Sequence, residues 1–381
     1  MPHVIERTPG PSVRSRATRR PVRMVGPGCP LAAAAGSSQA VSMTDPDLRI
    51  ELVDVHDDRQ VADHRDVLVA AYRHVSPDHP MASLPELLAQ LRTERAAVAV
   101  ETWVMYAGTE PVATYRLTLP QRDNTGLADL ELGVSPEHQR RGHGRAMVDH
   151  LRARCAAHGR TQVNTEVHEP ADGSQNRSMR FATATGATRS LGEMRRVLDL
   201  TVLDHTRLAA LRAEAESRSA DYDLVGWTGP CPDDLVEAYA ALIGRMSTDA
   251  PMGDTGFQAE TWDVARVRER DALLAAQQRV TIATAARLRR GGRLVAYSDM
   301  GWTTHDPENA FQWDTLVLRE HRGHRLGALV KVANLERLMA EAPDARRVHT
   351  WNADENTHMN AINDAMGFVP RQRESIWRLD L

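Results

Sequence analysis

Cysteine is scarce in this 381-residue chain: Cys29, Cys155 and Cys231 lie far apart and form no CxxC pair. That spacing argues against a disulfide framework and against a cysteine zinc site, and fits a reducing compartment such as the cytoplasm. No apolar run approaches the roughly 20 residues needed to cross a bilayer, so no membrane span or membrane partner is expected. Sixteen histidines are present, yet no HExxH and no Cys/His cluster at ligand spacing occurs, and no metal is expected. Positive charge is also lacking where a nucleic-acid partner would need it. Residues 1–42 hold six Arg against one Glu, leaving −9 on the remainder of a chain whose total is −4. An acidic folded part favours a small cationic partner.

What the sequence does have is the composition of a globular protein, with 42% apolar residues, 26% charged residues and seven Trp. Its length suits two domains rather than one. Residues 1–42, rich in Arg, Pro, Ala, Gly and Ser without a sustained period, read as a disordered tail, with Met43 a plausible alternative start. From Ile50 the pattern becomes regular. Ile50–Val53 reads as a strand, Val61–Tyr72 as an amphipathic helix, and Trp103–Tyr106 with Val112–Leu119 as strands around a turn at Gly108. Leu127–Val134 alternates as a further strand, a glycine-containing loop follows, and Arg145–His158 has helical spacing that stops at Gly159.

The second half repeats this order. Strand Phe311–Val317 leads into a loop ending at Gly327 and a helix to about Ala342. Val134 and Gly144 correspond to Val317 and Gly327, and Gly186 and the ending at Leu200 to Gly367 and Leu381, at a nearly constant offset. Four landmarks in register indicate an internal duplication. The expected division is 43–200 and 222–381, joined by 201–221 with a helix over 202–216.

The loop Gln139-Arg140-Arg141-Gly142-His143-Gly144-Arg145 opens a helix. Unpaired backbone N–H groups at the positive end of a helix dipole attract phosphate oxygens, glycines allow close approach, and the arginines add positive charge. A pyrophosphate-bearing cofactor is expected. Met147 stands where a dinucleotide fingerprint needs its third glycine, and no GK[ST] follows, so Rossmann and P-loop readings are demoted. His74-Val75-Ser76-Pro77-Asp78 matches HxxxD by chance in a loop-like stretch and is discarded.

In context, Val134-Ser135-Pro136 followed by Gln139 to Gly144 resembles the acetyl-CoA motif of the GNAT (Gcn5-related N-acetyltransferase) superfamily. Val317 with Arg322-Gly323-His324-Arg325-Leu326-Gly327 resembles it too, with Arg325 where the family usually has Gly. Asn356 to Phe368 looks like a second family segment, and Asn176 to Ala187 is a looser copy. The tandem layout is similar to that of mycothiol synthase, although the motifs do not fix that substrate.

The resemblance implies an α+β protein of two tandem GNAT folds, each a mixed, mostly antiparallel sheet splayed at its centre and flanked by helices. It implies acetyl-CoA, or another acyl-CoA, as cosubstrate and a small-molecule amine as acceptor. Pantetheine amides would meet backbone groups of Leu132 and Val134, and phosphates the first loop, with Val317, Arg322, Gly323 and Gly327 the second-half counterparts. The intact first loop is expected to bind the donor more tightly. Glu131 and Asp314, each three residues before the aligned valine, are the candidate bases. The family's usual acid tyrosine is replaced by Ala182 and Asn363, and Asn363 can donate a hydrogen bond to sulfur. A carrier-protein or aminoacyl-tRNA donor, and a non-catalytic CoA-binding scaffold, are the competing readings.

Overall fold

The computed structural model describes residues 47–170, 173–249 and 251–381. The expected tail and the start at Met43 lie outside the described residues. The first half runs β1 (Leu48–Leu52), α1 (Asp58–Val75), α2 (Leu84–Arg92), β2 (Val98–Ala107), β3 (Glu110–Pro120), β4 (Leu127–Val134), α3 (His143–Ala157), β5 (Gln162–Glu169), α4 (Arg177–Ala184) and β6 (Thr188–Asp199). Helix α5 (His205–Ser217) follows. The second half repeats the order as β7 (Tyr222–Thr228), α6 (Val236–Asp249), α7 (Val264–Ala276), β8 (Arg279–Leu288), β9 (Leu294–Thr303), β10 (Asp306–Val317), α8 (Leu326–Glu341), β11 (Arg347–Ala353), α9 (Thr357–Met366) and β12 (Val369–Asp380).

Local chemistry explains the boundaries. Helix α1 starts on Asp57, whose side chain accepts from the N–H groups of Arg59 and Gln60. Helix α2 starts on a capping box between Ser83 and Glu86. Gly108 turns between β2 and β3 at φ +60°, and Gly367 ends α9 in the left-handed conformation. Apolar residues on alternate strand positions then meet the helices. Tyr115, Leu117, Met147 and Leu151 share one buried cluster, and Ile282, Met300, Leu329 and Leu335 share another.

The strands form one 12-stranded sheet in the order β1-β2-β3-β4-β5-β12-β6-β11-β10-β9-β8-β7. The chain's last strand therefore lies beside β5, while β6 lies beside β11. The two duplicated closing strands pair antiparallel with each other, with Glu193 opposite Glu374 and Leu191 opposite Ile376. Each half's open edge is closed by a strand of the other, which leaves no unpaired strand at the middle of the sheet. It also sets an equivalent carboxylate from each half side by side at the centre.

Candidate functional site

The sheet opens at two equivalent places. Strands β4 and β5 run parallel and pair only where Leu127–Leu130 meet Gln162–Thr165. Strands β10 and β11 pair only where Asn309–Phe311 meet Arg347–His349. Beyond those points the strands diverge. The Ser135 N–H donates to the Val112 carbonyl at 3.0 Å. In an antiparallel ladder the direction alternates, so Gly133 and Glu131 face β3, and the peptide groups of Leu132 and Val134 face the gap. Their side chains meanwhile pack on the first-half core. The same alternation from Leu318 N–H to the Val295 carbonyl, 3.0 Å, turns the Val317 peptide into the second gap. Each valine carbonyl accepts from the first residue of its loop: Gln139 Nε2 at 3.4 Å in one half, Arg322 Nε at 3.2 Å in the other.

Both loops make the same backbone excursion by different residues. The positive φ values fall on Arg140 (+67°) and Gly142 (+90°), and on Gly323 (+87°) and Arg325 (+58°). Arg325 therefore reaches the left-handed conformation that its first-half counterpart Gly142 reaches, against the preference of a residue with a Cβ. Helices α3 and α8 each begin without a side-chain cap, so both present first-turn N–H groups to an anion.

Charge separates the two loops. Among the described residues, Arg140 and Arg145 enter no ion pair, and Arg141 reaches back to the Glu137 carbonyl at 3.0 Å. In the second loop Arg322 sits 3.4 Å from Asp249, and Arg325 pairs with Glu214 at 2.5 Å. Among the described residues the first loop's arginines meet no carboxylate, while the second loop's Arg322 and Arg325 are engaged.

The glycines divide by role in a way the sequence reading did not anticipate. A Cβ on Gly142 would meet nothing within 4 Å, so its value is the left-handed turn and an open cradle. A Cβ on Gly144 would stand 3.1 Å from the Phe181 ring, and one on Gly327 would stand 3.2 Å from Ile362. These two glycines let their helices pack closely against Phe181 and Ile362. His143 is buried at 6% exposure, which leaves its backbone rather than its imidazole near the loop surface.

Glu131 and Asp314 line one cavity of about 470 Å³ that draws on both halves. Glu131 accepts from Arg116 at 2.7 Å and also lines a smaller cavity of about 180 Å³ beneath α1, with Tyr72, His79 and Glu166. Asp314 is more enclosed. The Tyr297 hydroxyl donates to it at 3.2 Å, and burial together with the Asp299 charge pushes it up to about 6. Asn363 is not brought to either cavity: it is fully buried and its Nδ2 donates to Asn352 Oδ1 at 2.6 Å.

Several polar residues here carried no sequence signal, because strand exchange assembles them. Loop residues Asp78 and His79 fold onto the sheet centre, where Asp78 accepts from Arg195 at 2.8 Å. Glu166 accepts from His168 at 3.1 Å, and the Trp351 indole donates to Glu374 at 2.6 Å. Burial, and then the Glu166 charge, push Glu374 up to about 9. Burial, the largest influence, raises Glu166, but the hydrogen bond and charge of His168, the Glu374 hydrogen bond and the His79 charge together hold it below the usual carboxylate range. Burial and the Glu166 charge push Glu193 up to about 7. One donor atom each from His79, His168 and Glu374 lies within 4.8 Å of the others, a set that could hold a metal ion. Arg195 Nε stands 3.8 Å from the same Glu374 oxygen and would oppose an added cation.

Residues 64–181 match the acetyltransferase (GNAT) family. A solved tandem GNAT protein from the clavulanic acid biosynthesis pathway, determined without acetyl-CoA, is 30% identical with a TM-score of 0.72, over 87% of this chain and 98% of that one. Two further structures share the fold at low identity. The GCN5-related N-acetyltransferase of Sphaerobacter thermophilus is 11% identical, with a TM-score of 0.58 over 88% of this chain and 96% of that one. The glucosamine N-acetyltransferase region of a fungal multi-domain GH3 β-N-acetylglucosaminidase is 12% identical, with a TM-score of 0.59 over 87% of this chain and 38% of that one. No curated protein matches the sequence. Among the described residues, no helix is long and apolar enough to cross a membrane.

Proposed function

Because the chain belongs to the GNAT acetyltransferase family in its tandem form, we propose that it moves an acetyl group from acetyl-CoA to a primary amine of a small molecule, with the first half holding the donor. The observation that carries this reading is the conjunction, in the first half, of a strand gap and an uncapped helix N-terminus with arginines that, among the described residues, no carboxylate engages. The open cradle at Gly142 fits a pyrophosphate, and the unpaired edge at Leu132 and Val134 fits an amide-bearing arm laid alongside as an added strand. Arg140, Arg141 and Arg145 would surround the phosphates. The second loop, with Val317, Arg322, Gly323 and Gly327, keeps the backbone shape but not the available charge, and serves as the weaker site or as scaffold. The unit boundaries at 43–200 and 222–381 are part of the same proposal.

When bound, the donor supplies a thioester. The amine nitrogen attacks its carbonyl carbon, a C–N bond forms, and the C–S bond breaks with the electron pair leaving on sulfur. The ammonium proton must leave before attack, and Glu131 at the mouth of the gap is the group we assign to receive it. Collapse of the adduct frees a second proton from the nitrogen as the amide forms. Because neither Ala182 nor the enclosed Asn363 supplies a proton to sulfur, water carries that second proton to the thiolate, and Glu131 gives the first up to solvent.

The test is thiol release from acetyl-CoA across a panel of primary amines, with acetyl-CoA affinity measured separately. Turnover that requires an amine supports the reading. Tight binding with no turnover on any amine would favour the CoA-binding scaffold, and no binding at all would favour a different donor.

A further inference from the structure

The larger cavity contains a side chain that acyl transfer from this site does not use. Lys331 stands in the second turn of α8 at 1% exposure, and it lines the same cavity as Glu131 and Asp314. Its ammonium makes no hydrogen bond or ion pair among the described residues, and its one described contact is the Phe368 ring at 5.6 Å. A buried amine without a partner is expensive, and such a group persists where a partner arrives from outside.

The rest of the lining has the opposite sign. Asp129, Glu131, Glu166, Glu193 and Asp314 all border the cavity, and among the described residues that line it Lys331 is the single basic side chain. Arg116 answers Glu131 and His168 answers Glu166. Burial alone pushes Lys331 down to about 7, with no carboxylate near enough to hold it charged. The acids and the amine therefore do not satisfy each other.

Ligand classes can be sorted on this arrangement. A neutral molecule leaves Lys331 unanswered, and with it Asp129, Glu193 and Asp314, which enter no ion pair among the described residues. A simple monoamine or diamine answers the carboxylates and leaves Lys331 alone, while a simple anion answers Lys331 and is repelled by five acids. A molecule carrying both charges answers both. The volume, about 470 Å³, lies within the usual range for small-molecule sites.

We propose that the acyl acceptor is a dipolar amine, a small molecule bearing a primary ammonium and a separate carboxylate, and that Lys331 receives the carboxylate. The ammonium lies toward Glu131 and Glu166, and the two ends bridge the halves. The inference rests on the acyl-transfer reading above, and its test separates the two.

Three matched pairs serve as probes: L-lysine with cadaverine, L-ornithine with putrescine, and 2,4-diaminobutyrate with 1,3-diaminopropane. Within each pair the amine spacing is kept and only the carboxylate differs. Thiol release from acetyl-CoA is followed for the wild type and for Lys331→Met. A charge-assisted hydrogen bond predicts a preference of about tenfold or more for the carboxylated member, read mainly in KM. Lys331→Met should bring that ratio close to one. A ratio near one in the wild type, or a variant that slows both members equally, overturns the inference. So does the absence of turnover on every carboxylated member while any of their decarboxylated partners is acetylated; acetyl-CoA binding with turnover on no probe at all counts against the acyl-transfer reading instead. If acetyl-CoA itself does not bind, the acyl-transfer reading fails. Calorimetric titration of lysine against cadaverine then decides the carboxylate subsite alone, and equal or absent binding overturns it.

Discussion

Replacing Lys331 by Met should stabilise the fold, and by an amount that depends on pH in a defined direction. Burial lowers this lysine from 10.5 to about 7. Above the unfolded value the amine is neutral in both states, and the folded protein carries no penalty. As pH falls from about 10.5 toward 7, the unfolded chain takes up a proton that the folded chain refuses, so wild-type stability falls by about 1.36 kcal/mol per pH unit. Below about 7 both states are protonated and the loss levels off. The full interval of three and a half pH units between the values 10.5 and about 7 corresponds to about 5 kcal/mol, an upper bound because the amine borders a cavity that water enters. Methionine has a similar length, no charge, and packs among the apolar residues of α8. Urea unfolding at pH 7 should therefore show the variant more stable by about 2 to 4 kcal/mol. The gain should shrink by about 2 to 3 kcal/mol between pH 7 and pH 9.5. A gain that does not change over that range would mean that the ammonium stays charged in the fold. The reasoning from its isolation would then be refuted.

Three further outcomes follow from the geometry. Gly142→Val places a branched side chain at φ +90°, a strain of about 1 to 2 kcal/mol, and fills the open cradle; acetyl-CoA affinity by calorimetry should fall at least about tenfold, whereas Gly323→Val should leave it near wild type if the second loop is not the donor site. Glu131→Gln keeps the shape and should lower kcat by about 10² to 10⁴-fold with acetyl-CoA affinity retained; a loss confined to Asp314→Asn instead would move the chemistry to the second half. Gly144→Ala, with its Cβ 3.1 Å from the Phe181 ring, should reduce stability by about 1 to 2 kcal/mol, and a smaller residue at position 181 should restore part of it; no loss in thermal unfolding would contradict the packing role.

Much of the architecture was legible in the residues, for reasons of periodicity and local chemistry. The strand Leu127–Val134 was readable to the residue because Leu130, Leu132 and Val134 alternate toward the first-half core and because Pro136 and the glycine loop follow it. The duplication was readable because the landmarks fall at fixed spacing. Arg325 stands where the first half has Gly142, yet the surrounding loop imposes a left-handed φ on it as well.

The sequence could not disclose which strand lies beside which. Pairing of β12 with β5 and β6 is a contact between residues some 200 positions apart, and no local pattern encodes it. That exchange places Glu193 against Glu374 and gathers Asp78, His79, Glu166, Arg195 and Trp351 around them. Lys331 shows the limit in one residue. By helical spacing it sits among Leu329, Val330, Val332 and Leu335 as a lysine in an apolar helix, a pattern equally suited to a side chain reaching solvent. Only the packing of α8 against both sheet and gap turned it inward, because the apolar face of that helix had to be buried on every side and carried the lysine with it.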